Sequence, residues 1–179
     1  MISLVTLEID DVLRGTDWEL PFVLSSKLAD LKNAGVILSI VTGRELLSAL
    51  YFVYINKFPF DYLCPGGGSV IEDPANIRFL DELFQPVNIH HIYHGGLTKV
   101  GRINLMQNIT GIKPENTIHI DSSMHPTDMP EAKVKLSCKL ATVRSNNIGW
   151  ISLVQERHGI ISQLSKTAGT LDILNQLEY

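Results

Sequence analysis

The chain has 179 residues, of which 45% are hydrophobic and 19% charged, a composition typical of a single globular domain, residues 1–179. Its net charge of −4 argues against nucleic-acid binding and against attachment to an acidic membrane surface. No run approaches the ~18 apolar residues of a membrane span. The short apolar start lacks a basic leader, and two cysteines are too few for a disulfide framework, so we expect a cytoplasmic protein with free thiols.

Strand and helix patterns alternate along the chain. Strands are predicted in the run that begins at Ile2 and at residues 36–41, 60–64, 117–121 and 139–143. Helices are predicted from near Pro21, after Arg44, from about Lys99 to Thr110, and in a final segment that carries Ile160, Leu164, Ala168, Leu171 and Leu174. This order predicts an α/β fold of the Rossmann-like kind, a parallel sheet with helices on both faces.

Residues 69–98 have a weaker pattern. Two short strand-like runs around residues 73–76 predict a hairpin, and a polar segment with His90, His91 and His94 follows. Three histidines can bind a metal, but a solvated surface is the simpler interpretation. We therefore expect a short hairpin and loop here, and no separate domain.

Three predicted strands end in residues that suit phosphate chemistry. Glu8 and Asp10 end the first strand, Thr42-Gly43-Arg44 ends the second, and Asp121 ends the strand at 117–121. In an open parallel sheet, ligands bind just beyond the carboxyl ends of the strands, so these groups are expected to lie at one site. Carboxylate oxygens at that site would suit a divalent cation such as Mg²⁺.

The order of these motifs resembles the haloacid dehalogenase-like phosphatase superfamily. The family pattern Asp-x-Asp-Gly-Thr-Leu is matched by the residues from Glu8 to Leu13, the Thr-Gly-Arg motif by residues 42–44, the helix-start lysine by Lys99, and the last acidic motif by Asp121. Residues 64–71 and the tail from Gly159 are similar to the sugar-phosphatase (Cof-type) branch.

The resemblance implies a phosphate-monoester hydrolase that forms an acyl phosphate. Glu8 would be the nucleophile and Asp10 the general acid and base, with Thr42 and Lys99 neutralising the phosphoryl oxygens. Mg²⁺ would be held by Glu8, Asp121 and the backbone carbonyl of Asp10. Substrate-binding candidates are Gly43, Arg44 and Gly67, although Arg44 is more simply a salt-bridge or capping residue, and the glycines at 66–68 a flexible turn.

This sequence departs from the family pattern at several positions. Glu8 stands where the family has Asp, and a carboxylate misplaced by ~1 Å can cost ~10²-fold in rate. Asp11 replaces a turn glycine, Ile120 replaces the glycine before Asp121, and His125 falls where a second acid is usual. Asp128 is an alternative second acid from a longer loop. A catalytically inactive binding or assembly module with the same fold is therefore the alternative function.

The sugar-phosphatase branch carries a large cap domain between its third strand and its lysine. Only the short segment at 69–98 stands there in this chain, so the resemblance implies a minimal cap or none. Such relatives act on large substrates or use a neighbouring subunit as a lid, which leaves a small or large phosphorylated substrate and a homo-oligomer open. A phosphoacceptor receiver domain would need an acid at the end of the third strand, where Cys64 stands.

Overall fold

The computed structural model describes residues 1–15, 18–66, 90–91 (backbone only) and 97–179. The described strands are β1 (Leu4–Leu7), β2 (Ile37–Val41), β3 (Tyr62–Cys64), β4 (His90–His91), β5 (Thr117–Asp121), β6 (Lys139–Thr142) and β7 (Ile160–Ile161). The described helices are α1 (Phe22–Asn33), α2 (Leu46–Asn56), α3 (Lys99–Thr110), α4 (Met129–Lys135), α5 (Ile148–Glu156) and α6 (Lys166–Asn175).

The strands form one parallel sheet in the order β4-β3-β2-β1-β5-β6-β7. Its register places Leu7 beside Ile40 of β2 and Ile120 of β5. The carboxyl ends of these three central strands therefore lie side by side. The predicted α/β architecture is confirmed.

The two faces of the sheet are covered by separate apolar cores. Val5 and Leu7 of β1 pack in a cluster with side chains of α1, α2 and α6, whereas Leu4 packs in a second cluster with side chains of α3, α4 and α5. This split follows from the alternation of side chains along a strand. None of the helices in the described part of the chain has the length and apolar character needed to cross a membrane.

The predicted final helix was wrong at its start. Ile160 lies in β7, beside Ala141 of β6, and Leu164 precedes α6. The close approach of β7 to β6 explains the difference, because a Cβ at Gly159 would lie 2.3 Å from the carbonyl oxygen of Leu140. Glycine thus lets the chain enter the sheet here, where β-branched Ile160 and Ile161 favour a strand.

Two helices were absent from the sequence prediction. α4 carries Pro130 in its first turn, where proline leaves no hydrogen bond unmade, so a proline that suggested a loop belongs to a helix. α5 is capped by Asn147, whose side chain accepts a hydrogen bond from the backbone N–H of Trp150 at 3.0 Å. The hairpin predicted around residues 73–76 lies outside the described residues. His90 and His91, in the polar segment predicted as a loop, instead form β4, which pairs in parallel with β3.

Both cysteines should be unreactive in the native protein. Cys64 and Cys138 are buried and free. Burial raises the pKa of Cys64 to about 11 and that of Cys138 to about 12, so neither thiolate is populated near neutral pH. We expect a disulfide-exchange reagent at pH 8 to label neither thiol before unfolding and both after it. Fast labelling of the native protein would contradict this placement.

Candidate active site at the carboxyl ends of the strands

Glu8 and Asp121 meet on one lysine at the edge of the sheet. The Lys99 Nζ donates to Oε2 of Glu8 at 2.7 Å and to Oδ2 of Asp121 at 2.6 Å. All three groups are withdrawn from solvent, with side-chain exposures of 7% for Glu8, 1% for Asp121 and 11% for Lys99. Two buried carboxylates at the ends of different strands thus share a single positive charge.

The pKa values of this cluster follow from its burial and charges. Burial alone would lower the pKa of Lys99, but the carboxylates of Asp121 and Glu8 outweigh it, and the pKa lies above its ordinary value. Burial would likewise raise the pKa of Asp121, but Lys99 and a hydrogen bond from His119 hold it at about 2. The pair is therefore ionised across the physiological range.

Lys99 is positioned by the start of α3. The Thr98 hydroxyl accepts from the Gly101 N–H at 3.1 Å, which caps the helix, and donates to Oε2 of Glu131 on α4 at 2.6 Å. This second bond ties the start of α3 to α4. The lysine is consequently fixed at the first helical position, where its side chain reaches the strand ends.

Asp121 is held from behind by a buried hydrogen-bond relay. Nε2 of His119 lies 3.2 Å from Oδ2 of Asp121, and Nδ1 of the same ring lies 2.9 Å from Oγ1 of Thr6. Because an ionised carboxylate only accepts, Nε2 must carry the proton that it shares with Asp121. Thr6 and His119 are fully buried, and His119 packs edge-on against Trp150 at 6.3 Å.

Glu8 is pinned by backbone donors as well as by Lys99. Its Oε1 accepts from the Ile9 N–H at 2.8 Å, and its Oε2 accepts from the Gly43 N–H at 3.1 Å. The chain then makes one wide helical turn over Ile9–Leu13, in which Asp11 has a left-handed φ of 58°. Aspartate tolerates this region better than most residues, which explains how it stands where the related pattern has glycine.

Asp10 faces away from this cluster into an arginine pair. Arg44 binds both of its carboxylate oxygens, at 2.7 and 2.8 Å, and Arg14 Nε lies 2.8 Å from Oδ1. Trp18 stacks on both guanidinium groups, at 4.2 Å from Arg44 and 4.7 Å from Arg14. The structure thus gives Arg44 a salt bridge, and Asp10 must exchange partners before it can act on a leaving group.

Thr42 and the glycines close the site beside β3. The Thr42 hydroxyl is buried and accepts from the Arg44 N–H at 3.1 Å, so it supports the turn. A Cβ at Gly66 would lie 2.8 Å from the Thr42 carbonyl oxygen and 3.0 Å from the Gly43 Cα. Glycine is therefore needed at 66 for this close approach, whereas Gly67 lies outside the described residues.

The candidates for a second acid do not join the cluster. His125 is exposed, and its Nδ1 lies 2.7 Å from Oγ1 of Thr127. Asp128 stands at the start of α4 without a side-chain capping bond. Within the described residues, no group of three or more His, Cys, Asp or Glu side chains is arranged to hold a metal ion.

The sequence prediction missed several residues of this site. Thr6 and His119 hold Asp121, while Arg14 shares Asp10 with Arg44. One signal was present, because His119 is a polar residue within an apolar strand and lies two positions before Asp121, on the same face of the sheet. Among the glycines at 66–68, Gly66 makes the close approach to the Thr42 turn, and the predicted Gly67 lies outside the described residues.

No protein-family model matches this sequence, and no curated protein matches it. Several solved structures are similar to this chain in fold. A haloacid dehalogenase-like hydrolase from Bacteroides thetaiotaomicron has a TM-score of 0.63 at 10% identity, over 98% of this chain and 99% of that chain. The 3-deoxy-D-manno-octulosonate 8-phosphate phosphatase from Moraxella catarrhalis, in complex with magnesium and phosphate ions, has a TM-score of 0.55 at 13% identity, over 97% of this chain and 83% of that chain.

A third structure is the cobalt-bound deoxy-D-mannose-octulosonate 8-phosphate phosphatase from Haemophilus influenzae. Its TM-score is 0.54 at 14% identity, over 98% of this chain and 88% of that chain. Likeness over nearly the whole chain at such low identity is likeness of architecture. The chain therefore shares the fold of these solved structures, which include a haloacid dehalogenase-like hydrolase and two octulosonate phosphatases.

Proposed function

We propose that the chain hydrolyses phosphate monoesters at the carboxyl ends of β1, β2 and β5. The observation that carries this proposal is the meeting of Glu8 and Asp121 on the Lys99 ammonium, beside the Gly43 N–H. Phosphoryl transfer needs a positioned nucleophile and fixed positive charge for the phosphoryl oxygens. Phosphatases among the structures of the same fold support the same reaction class.

In the proposed reaction, an oxygen of Glu8 attacks phosphorus, and the bond from phosphorus to the leaving alcohol oxygen breaks. Asp10, once released from Arg44 and protonated from solvent, gives its proton to that oxygen. It then takes a proton from the water that attacks phosphorus, and the bond from phosphorus to Glu8 breaks to release phosphate. Lys99 and the Gly43 N–H neutralise the phosphoryl oxygens. Both groups already bind Oε2 of Glu8, so this part of the site is organised before substrate arrives.

The oxygen donors at this site fit a hard divalent cation. Glu8 and Asp121 carry carboxylate oxygens on both sides of the Lys99 ammonium, and the Asp10 carbonyl is the third donor in the proposal. The two carboxylates would hold Mg²⁺, which supplies positive charge opposite the phosphoryl group. Octulosonate phosphatases of the same fold have structures with magnesium and with cobalt, which supports a divalent cation here.

Magnesium should raise the thermal stability of the protein. A cation that binds the folded state stabilises it by mass action, and at ~100 times its dissociation constant the gain is ~2.7 kcal/mol. We expect a higher melting temperature in millimolar Mg²⁺ than in a chelator, and a smaller rise in Asp121→Asn. If Mg²⁺ raises the melting temperature of Asp121→Asn as much as that of the natural protein, or does not raise that of the natural protein, Asp121 is not a metal ligand.

A second candidate function is a non-catalytic module with this fold. Specific contacts favour it: both oxygens of Glu8 and of Asp121 already accept hydrogen bonds within the described structure, and Asp10 is bound by two arginines. These contacts stabilise the site without a substrate. A non-catalytic protein could therefore keep this fold, and could bind a cation, without hydrolysing a substrate.

Turnover of p-nitrophenyl phosphate by metal-free protein, with and without added Mg²⁺, separates the two functions. A phosphatase releases p-nitrophenol in a Mg²⁺-dependent way, and Asp121→Asn lowers that rate to background. The matched control is Asp172→Asn, since Asp172 lies on α6 and binds the Ser162 hydroxyl at 2.6 Å. A rate that Asp121→Asn leaves unchanged would refute the proposed site.

A further inference from the structure

An open cavity of about 570 Å³ lies next to the candidate active site. Ser122 and Ser123 form the wall nearest to it, since the Ser123 N–H donates to Oδ1 of Asp121 at 3.1 Å. Asp11, which follows Asp10 in the chain, lines the cavity too. The cavity is therefore adjacent to the proposed reaction centre, on the side that faces β6.

The described lining of this cavity is polar and carries a net positive charge. Among the described residues that line it, Arg144 and Lys166 are cations, Asp11 is the one carboxylate, and the others bear hydroxyl and amide groups. The side chains of Arg144 and Lys166 are exposed, and neither makes an ion pair or hydrogen bond with another described residue. Two cations that have no side-chain partner among the described residues, beside hydroxyl and amide groups, suit an anion that is also hydroxylated.

The backbone holds two of these charged residues in a costly conformation. Asp11 and Lys166 have left-handed φ angles of 58° and 53°. Non-glycine residues in this region cost ~1–3 kcal/mol each and persist only where the surrounding structure fixes them. Such fixing is present, because the Thr170 hydroxyl of α6 donates to the Val12 carbonyl at 2.7 Å and so ties α6 to the turn that carries Asp11.

We propose that this cavity binds the leaving group of the substrate and selects phosphate monoesters whose hydroxylated leaving group carries a second anionic group. The proposal rests on the phosphate-monoester hydrolysis proposed above. The reacting phosphoryl group lies at Glu8 and Lys99, and the second anion lies between Arg144 and Lys166. Hydroxyls of the leaving group bond to the serine and asparagine side chains of the wall.

Two matched pairs of compounds test this selection by equilibrium binding, which needs no turnover. Sorbitol 6-phosphate and 6-phosphogluconate are open chains that differ in the hydroxymethyl or carboxylate group at C1, and fructose 6-phosphate and fructose 1,6-bisphosphate differ by a phosphate. We expect the second anion to tighten binding by about tenfold, equivalent to ~1.4 kcal/mol. The gain should fall at high salt, since exposed charges are screened. The pair with the larger gain identifies the anion as carboxylate or phosphate.

The double variant Arg144→Gln with Lys166→Gln should reduce this gain to less than twofold. The control is Lys133→Gln with Lys139→Gln, which removes the same charge from exposed positions away from the cavity lining and should keep the tenfold gain. Circular dichroism of both double variants establishes that they are folded. Equal binding within each pair, or a gain that the cavity variant retains, would overturn the inference.

Turnover of the same four compounds separates the inference from the function on which it rests. Hydrolysis of all four compounds without preference for the second anion would refute the proposed selectivity of the cavity, and it would leave the proposed phosphatase activity supported. Binding preference that disappears in the cavity variant, with no hydrolysis of any compound, would refute the phosphatase and leave the anion site. Preference in both binding and kcat/KM, lost together in the cavity variant, supports both.

Discussion

Replacing Lys99 by methionine should lower the free energy of unfolding by ~3–5 kcal/mol in a chelator, because two buried carboxylates lose the positive charge that they share. Methionine keeps a similar length and helix propensity, so the change isolates the charge. Urea denaturation of the natural protein and of Lys99→Met measures the loss. The control Lys133→Met removes an exposed lysine of α4 and should change stability little.

The loss of unfolding free energy in Lys99→Met should also depend on pH. Asp121 has a pKa held at about 2 against an ordinary value of 3.8, so its stabilising contribution is present above the ordinary value and is lost as the pH falls toward 2. The difference between the natural protein and Lys99→Met should therefore shrink below pH 4. A loss no larger than that of the control at pH 7 would contradict the ion-pair geometry described here.

Replacing Glu8 by aspartate should raise phosphatase activity from a very low level, by up to ~10²-fold. The shorter side chain returns the carboxylate to the distance that the acyl-phosphate route requires. Lys99 and the Gly43 N–H, which bind Oε2 of Glu8 at 2.7 and 3.1 Å, remain in place for the phosphoryl oxygens. The initial rate with p-nitrophenyl phosphate and Mg²⁺ measures the gain.

The control for this change is Glu156→Asp, an exposed glutamate at the end of α5. A folded Glu8→Asp protein without activity would favour the non-catalytic function, since the nucleophile would then not be the limiting defect. Substantial natural activity that falls in Glu8→Asp would overturn the expectation in the other direction. The longer glutamate side chain would then be the one that positions the carboxylate correctly for catalysis.

The sheet was predictable because its strands carry strong local signals. β2 and β5 are short runs rich in apolar and β-branched residues, and α3 was predicted with its observed bounds, Lys99–Thr110. α5 was missed although Asn147 caps it, because its apolar residues follow a turn-like sequence. β4 is two residues long and is defined by pairing with β3, a contact that no local pattern encodes.

The site was predictable as a set of strand ends but not as a network. Parallel strands bring Glu8, Asp121 and the turn at Gly43 together, and that follows from topology. The hydrogen-bond partners of each carboxylate do not follow from topology, because the direction of a side chain at a strand end depends on the turn that follows it. Asp10 binds Arg44 and Arg14 since the wide turn after Glu8 carries it away from Lys99.

The central place of β1 has a consequence for synthesis of the protein. Thr6 and Ile118 lie on neighbouring strands but are 112 positions apart in the chain. A ribosome that adds ~5–20 residues per second needs ~6–20 s to pass from one to the other. During that interval one edge of β1 has no partner, and Glu8 has neither Asp121 nor Lys99 for part of it. The nascent chain therefore exposes an apolar strand edge of the kind that chaperones protect.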